Sequence, residues 1–226
     1  MAAAGAVGGG RADIPITANL AAHYRADLGV TKDGDDYVSQ WDDQSGNGRD
    51  LAEATNKPKW IDSGINSQNV IRFDGTNDNM QYTVSISQPF HFFIVALMDT
   101  WTNNDRLVDL EPGLNPSISQ QGSSPQIKQQ AGAAATNLVS PTLGAGFLLQ
   151  SFFSGTSSFQ ALNNDAQSSG GNPNTMGMNT LGIGGQSNES GCSDGEFAEI
   201  ALYTAEVTGG DLTTLKNYFN DEYALW

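Results

Sequence analysis

Acidic side chains in glycine-rich and polar turns are the part of this sequence that could most readily do chemistry. Loop carboxylates can bind Ca²⁺, and the weak candidates are Asp33, Asp35, Asp42, Asp43, Asp74 and Asp78. No segment completes the Asp-x-Asp-x-Asp-Gly pattern of a dedicated calcium loop. Because aspartate in a turn also accepts hydrogen bonds from its own backbone, we predict that these residues mainly build turns.

Paired carboxylates are the second chemistry to consider, since glycoside hydrolysis needs two of them about 5 to 9.5 Å apart. Glu196 and Glu199 are three residues apart, which on a regular strand points them to opposite faces. The two histidines, His23 and His91, do not lie near a Gly-x-Ser-x-Gly segment that would support a serine triad. We therefore predict that the protein is not an enzyme.

Aromatic rings beside amide and carboxylate side chains could bind a sugar. The candidate glycan-binding residues are Trp60, Tyr82, Trp101, Asn103, Asn104 and Asp105. Large aromatic residues are usually mostly buried, so the more common role for such rings is in the core. Both interpretations remain open at this stage.

The elements that must position these groups are short strands. The segment Phe90–Met98 is the most apolar run and is rich in aromatic and β-branched residues, which predicts a central strand buried on both faces. Residues 146–153 predict a second strong strand. The 26 glycines favour many tight turns between such strands.

One helix is predicted, at residues ~209–222. Thr208 and Asp211 could form a capping box at its start. Leu212, Leu215 and Phe219, followed by Trp226, fall on one helical face. This apolar face predicts that the helix packs against a sheet.

Composition excludes several classes of function. The chain has 226 residues and a formal net charge of −15, which would repel the phosphate backbone of a nucleic acid. The single cysteine, Cys192, cannot form an internal disulfide. No segment reaches the ~20 apolar residues of a membrane span. Nucleic acid and membrane are therefore not expected partners.

Residues 41–48 (WDDQSGNG) predict a rigid turn after a strand, with two glycines for left-handed backbone and Trp41 as a buried anchor. Together with residues 72–78 (RFDGTND) and 195–203 (GEFAEIALY), this segment resembles the concanavalin A-like or laminin G-like jelly rolls of bacteriophage virion proteins and bacterial surface proteins. The order of the three motifs covers residues ~13–226. The resemblance implies an all-β sandwich of two antiparallel sheets with a C-terminal α-helix. The concave sheet of such a sandwich is often available for a ligand.

Residues 1–12 are predicted to form a flexible arm rich in alanine and glycine, ahead of one jelly-roll domain over 13–226. Such an arm could become ordered along a neighbouring subunit. The residues assigned to this assembly arm are Ala2, Ala3, Ala4, Gly5, Val7, Gly8, Gly9, Gly10 and Arg11.

The resemblance and the arm together predict a non-enzymatic virion protein, made in the host cytoplasm, that decorates the capsid. It would bind the major capsid protein or another virion protein through its arm and one sandwich face, as a homotrimer. The alternative is a carbohydrate-binding adhesin, in a virion fibre or a cell-surface module, that binds host polysaccharide. No cofactor is expected beyond calcium at the weak aspartate candidates.

Overall fold

The computed structural model of the protein describes residues 11–111, 116–132, 135–169, 171–186 and 190–226, with the backbone alone for 135–137. Within these ranges seventeen strands, β1 to β17, precede one α-helix, α1, which spans Gly209–Tyr223. In chain order the strands are Leu20–Arg25, Val30–Lys32, Val38–Trp41, Leu51–Ala52, Lys59–Ile61, Val70–Asp74, Met80–Ile86, Phe90–Met98, Arg106–Asp109, Ser117–Gln120, Ile127–Gln130, Ala135–Val139, Phe147–Phe153, Phe159–Leu162, Ser168–Ser169, Met178–Ile183 and Asp194–Tyr203. Two short 3₁₀ turns lie at Ile65–Ser67 and Gly155–Ser157.

The described strands form two antiparallel sheets. The eight-stranded sheet runs in the order β15-β14-β13-β8-β17-β6-β5, with β1 also paired to β17. The nine-stranded sheet runs in the order β12-β11-β10-β9-β16-β7-β4-β3-β2. The predicted all-β sandwich with a C-terminal helix is confirmed.

Strand β8 lies near the middle of the eight-stranded sheet and is buried on both faces, as its composition predicts. Its even-numbered residues, among them Phe92 and Ile94, pack into the core between the sheets. Its odd-numbered residues, among them Phe93 and Val95, pack beneath the helix on the outer face. Because side chains alternate along a strand, one segment serves two apolar layers.

Trp41 anchors the corner that follows β3. Its ring is fully buried, and its Nε1–H donates to the Arg25 carbonyl at 2.8 Å. The Asp43 carboxylate accepts the backbone N–H groups of His23, Ser45 and Arg49 at 2.9 to 3.1 Å. A polar loop is thereby tied to β1 by one carboxylate.

Helix α1 covers the outer face of the eight-stranded sheet with Leu215 and Phe219, which are fully buried. Thr208 is its N-cap residue but makes no side-chain capping bond, so the predicted capping box is wrong. The helix ends at Tyr223, and its C-cap residue Ala224 has left-handed backbone. Trp226 lies beyond this cap and is 43% exposed rather than on the apolar face. In the described part of the chain, no helix is long and apolar enough to cross a bilayer.

Arg11, which the sequence places in the flexible arm, has its guanidinium buried between the sheet and helix α1. It contacts Glu199 of β17 and Tyr223 of α1, so this side chain belongs to the folded domain. The other predicted arm residues, 2–10, lie outside the described residues.

Candidate functional site

A polar recess lies where three loops meet at one end of the sandwich, and we call it the loop recess. The β2–β3 loop contributes Asp33 and Tyr37, the β4–β5 loop Asn56, and the β6–β7 loop Asn77 and Asp78. Its volume is about 360 Å³, within the range of small-ligand sites. The remaining lining residues are Ala54, Thr55, Lys57 and Asp74.

Tyr37 supplies an exposed aromatic surface to this recess. The residue is 45% exposed, which is unusual for an aromatic of this size. The backbone around it is held by two hydrogen bonds, from Tyr37 N–H to the Asp33 carboxylate and from Asp33 N–H to the Tyr37 carbonyl, both at 3.0 Å. The Lys59 ammonium lies 5.6 Å from the ring centre. The backbone that carries the ring is therefore held in place at the edge of the recess.

Two amides stand in the same recess. The Asn77 Nδ2–H donates to Asn56 Oδ1 at 2.9 Å. That contact does not use the side-chain NH₂ group of Asn56, which is a donor, or the side-chain oxygen Oδ1 of Asn77, which is an acceptor. The recess thus combines an aromatic ring surface with hydrogen-bond donors and hydrogen-bond acceptors.

Among the carboxylates that line the loop recess, Asp78 is the buried one. Burial and the neighbouring Asp74 carboxylate raise its pKa to about 7. Its Oδ2 accepts the Asp74 N–H at 3.0 Å. Near neutral pH this group can therefore either donate or accept a hydrogen bond.

The predicted calcium candidates fall in two places. Asp33, Asp74 and Asp78 line the loop recess, whereas Asp42 and Asp43 belong to the loop after Trp41. The oxygens of Asp43 and Asp74 accept backbone hydrogen bonds of their own turns. Asp35 is exposed. No group of three or more acidic, histidine or cysteine side chains within the described ranges is placed to hold a metal ion.

The three aromatic rings predicted for a glycan site lie apart and are half-buried against the core. Trp60, on β5, donates its Nε1–H to the Ala26 carbonyl at 2.8 Å. Tyr82 lies on β7 of the other sheet, and Trp101 lies in the β8–β9 loop. The structure does not bring them into one platform.

The polar residues predicted beside Trp101 each have a local role. Asn103 Oδ1 accepts a hydrogen bond from the Gly122 N–H at 2.7 Å. Asn104 Oδ1 accepts one from the Lys128 ammonium group at 2.7 Å. Burial raises the pKa of Asp105 to about 6, with a further contribution from Asp194. Of these residues, Asn104 lines a second recess, on the outer face of the nine-stranded sheet.

Glu196 and Glu199 face the same side of the sheet, so the prediction of opposite faces is wrong. A bulge in β17 pairs Glu196 with Leu97 and Glu199 with Val95, and those partners are two residues apart on β8. One extra residue therefore restores the common face.

Glu199 is fully enclosed and cannot touch a substrate. It accepts hydrogen bonds from Tyr218 OH at 2.8 Å and Tyr223 OH at 3.1 Å, and lies 2.6 Å from His23 Nε2. Burial alone would raise its pKa, but the hydrogen bond with His23 and the charge of Arg11 outweigh burial and lower it. We call Arg11, His23, Glu199, Tyr218 and Tyr223 the Glu199 cluster; it ties β1, β17 and α1 together.

No family model matches the sequence, and no curated protein does either. Among solved structures, Trypanosoma rangeli sialidase in complex with sialic acid has a TM-score of 0.66 at 15% identity, covering 93% of this chain and 34% of that one. A GH54 α-L-arabinofuranosidase soaked with an inhibitor has a TM-score of 0.62 at 14% identity, covering 83% of this chain and 51% of that one.

A third solved structure corresponds to nearly a whole domain. Domain 4 of AbnA, a GH43 extracellular arabinanase from Geobacillus stearothermophilus, in complex with arabinotriose, has a TM-score of 0.67 at 13% identity. The match covers 89% of this chain and 98% of that domain. By contrast, the chain spans about a third of the sialidase and about half of the arabinofuranosidase. At identities this low, the structural matches show a shared fold alone.

The predicted role as a capsid decoration protein is wrong. The sandwich has its counterparts in a sialidase, an arabinofuranosidase and an arabinanase domain, and none of these comparisons links the chain to a bacteriophage. The predicted sandwich of two antiparallel sheets itself stands.

Sequence reasoning missed Tyr37 because the recess is assembled from three loops, whose residues Tyr37, Asn56 and Asn77 are about 20 residues apart in the chain. One signal was available: Tyr37 directly follows the turn residues Gly34, Asp35 and Asp36. An aromatic residue at the mouth of a polar turn is a candidate for exposure.

Proposed function

We propose that the protein is a non-catalytic carbohydrate-binding module whose loop recess holds a sugar residue against Tyr37. The observation that carries this proposal is the exposed ring of Tyr37 beside two amides and a carboxyl group in one recess. A sugar ring has an apolar C–H face and a rim of hydroxyls. An aromatic ring can cover the face, while amides can pair with the hydroxyls.

The comparisons support a sugar as the ligand class. The arabinanase domain, which this chain matches over 98% of the domain's length, was solved with arabinotriose bound. The sequence of that domain is only 13% identical to this chain. Arabinotriose therefore serves as a probe, and the residues of this chain's own recess determine which sugar it binds.

Binding without hydrolysis is supported by the way the recess carboxyls are used. Asp78 is buried and accepts a backbone hydrogen bond from Asp74, whose own carboxylate accepts the Thr76 N–H at 2.8 Å. A glycosidase needs two carboxyls free to flank the bond that is cleaved. Release of reducing sugar from arabinotriose by the purified protein would contradict a non-catalytic role.

Calorimetric titration with arabinotriose tests the proposal. Replacing Tyr37 with alanine should weaken binding at least about tenfold, which corresponds to ~1.4 kcal/mol, because the ring surface is lost. Tyr37→Phe keeps the ring and should retain most of the affinity.

Trp226→Ala is the matched control, since Trp226 is equally exposed but lies at the C-terminus. It should leave the affinity unchanged. Equal losses in Tyr37→Ala and Trp226→Ala would contradict a specific role for the loop recess.

A further inference from the structure

The carboxyl group of Asp78 is both part of the loop recess and almost enclosed. Asp78 lines the recess, yet the residue is only 8% exposed. Its Oδ2 accepts the Asp74 N–H at 3.0 Å. Its Oδ1 accepts no hydrogen bond from the residues that the structure describes, and it is not sealed off from solvent. One oxygen therefore holds the turn, and the other is left for a ligand.

The surroundings of Asp78 decide how readily it ionises. Burial disfavours the ionised form most, and the Asp74 and Glu53 carboxylates disfavour it further. The hydrogen bond from the Asp74 N–H and the positive charge of Arg72 act in the opposite direction. Arg72 also pairs with the carboxylate of Asp194, so Asp78 does not have this cation to itself. The balance is the pKa of about 7 given above.

The remaining charges of the loop recess oppose each other. Of the described residues that line it, Lys57 alone is a cation. Its Nζ lies 3.9 Å from Asp33 Oδ2, so its charge is shared with that carboxylate. Nothing among these lining residues therefore fixes Asp78 in the ionised form before a ligand arrives.

A bound sugar should change this balance. A hydroxyl group both donates and accepts hydrogen bonds, so it can pair with Asp78 in either protonation state. A hydrogen bond to an ionised acceptor is roughly twice as strong as one between neutral groups. A sugar hydroxyl that donates to Asp78 Oδ1 therefore favours the carboxylate over the protonated acid.

We infer that the loop recess binds its sugar with Asp78 ionised and accepting a sugar hydroxyl at Oδ1, so that binding releases a proton and affinity rises with pH. This inference rests on the proposed function for the claim that the ligand is a saccharide. It adds the group that regulates the site and the direction of the response.

The sign of the response follows from linkage. A ligand that prefers the ionised form lowers the pKa of Asp78 in the complex, and the proton that Asp78 can no longer hold passes to the buffer. A tenfold preference would release about 0.4 proton per sugar bound at pH 7. Affinity would then rise by about fivefold to tenfold from about pH 5.5 to about pH 8.5.

Calorimetric titration with arabinotriose in two buffers of different ionisation enthalpy measures the released proton. Arabinotriose has no group that titrates near neutral pH, so any released proton comes from the protein. We expect a binding enthalpy that differs between the buffers at pH 7, and a dissociation constant that falls as the pH is raised.

Asp78→Asn keeps an oxygen that accepts hydrogen bonds but cannot titrate. This variant should bind with an affinity independent of pH and should release no proton. Asp105→Asn is the matched control, because Asp105 also has a raised pKa, of about 6, but lies outside the loop recess. It should keep the proton release and the pH response of the wild type.

Equal enthalpies in the two buffers with an affinity that does not change with pH would overturn the inference, as would an affinity that falls as pH rises. Loss of the proton release in Asp105→Asn instead of Asp78→Asn would overturn it too. If arabinotriose still binds in a Tyr37-dependent way, the proposed function survives each of these results. If no saccharide binds at any pH, both fail.

Discussion

At the scale of single residues, environment rather than sequence decides what each acidic group does. Asp43 and Asp78 are both aspartates in glycine-containing loops, yet Asp43 holds three backbone N–H groups whereas Asp78 is buried beside Asp74. Sequence could place both in turns. It could not separate them, because a pKa shift depends on burial and on neighbours brought together by folding.

Asp78 should make stability depend on pH. Its folded-state pKa of about 7 lies above its ordinary value of 3.8. A raised pKa contributes stability that is complete below about pH 4 and is lost as pH rises through about 7. Asp78→Asn removes this titration, so the wild type should lose ~1–3 kcal/mol relative to the variant between those limits.

Urea unfolding of both proteins at several pH values measures this difference. Other shifted carboxyls are common to both proteins and cancel in the comparison. Parallel stability curves from pH 4 to 8 would show that Asp78 titrates in the folded protein as it does in the unfolded chain.

At the scale of elements, regular strands were predictable and irregular ones were not. The bounds of β8 follow from its apolar run. The bulge in β17 does not, because an extra residue leaves the sequence pattern of the strand almost unchanged. The bulge places Glu199 beneath helix α1, where Tyr218 and Tyr223 reach it. The predicted capping box was also wrong. The Thr208 and Asp211 pattern marks the start of the helix, but it does not determine whether the Thr208 side chain makes the capping hydrogen bond.

The Glu199 cluster should hold the helix and the N-terminal segment on the sheet. Glu199→Gln leaves Arg11 buried without its main counter-charge, and loss of one partner of a buried pair costs ~3–5 kcal/mol. Glu222→Gln is the matched control, because Glu222 also pairs with Arg11 but is 24% exposed; it should cost ~0–1 kcal/mol.

Chemical denaturation with circular dichroism measures both costs. Similar small losses in the two variants would mean that the cluster contributes little to the attachment of the helix.

At the scale of the whole molecule, the sandwich was predictable and the ligand site was not. Three short motifs and a terminal helix indicate the fold, since they mark corners and edges that any chain of this architecture needs. The loop recess depends on Tyr37, Asn56 and Asn77 meeting from separate loops, and pairs of distant residues leave no pattern in one sequence. Function followed the same rule: the fold is shared by many proteins, and the virion role inferred from it was wrong.

The two faces of the molecule differ in a way that follows from the packing. Helix α1 covers the outer face of the eight-stranded sheet with apolar residues. The outer face of the nine-stranded sheet carries a second polar recess, and the loop recess lies among loops at the end of the sandwich. Ligand contacts are therefore proposed for the surfaces that the helix leaves uncovered.

The central claim, that the loop recess binds a sugar, is tested most directly by NMR titration of ¹⁵N-labelled protein with arabinotriose. We predict saturable shifts confined to amides of the three loops that carry Tyr37, Asn56 and Asn77. Shifts that cluster elsewhere, or no shifts at millimolar arabinotriose, would contradict the claim.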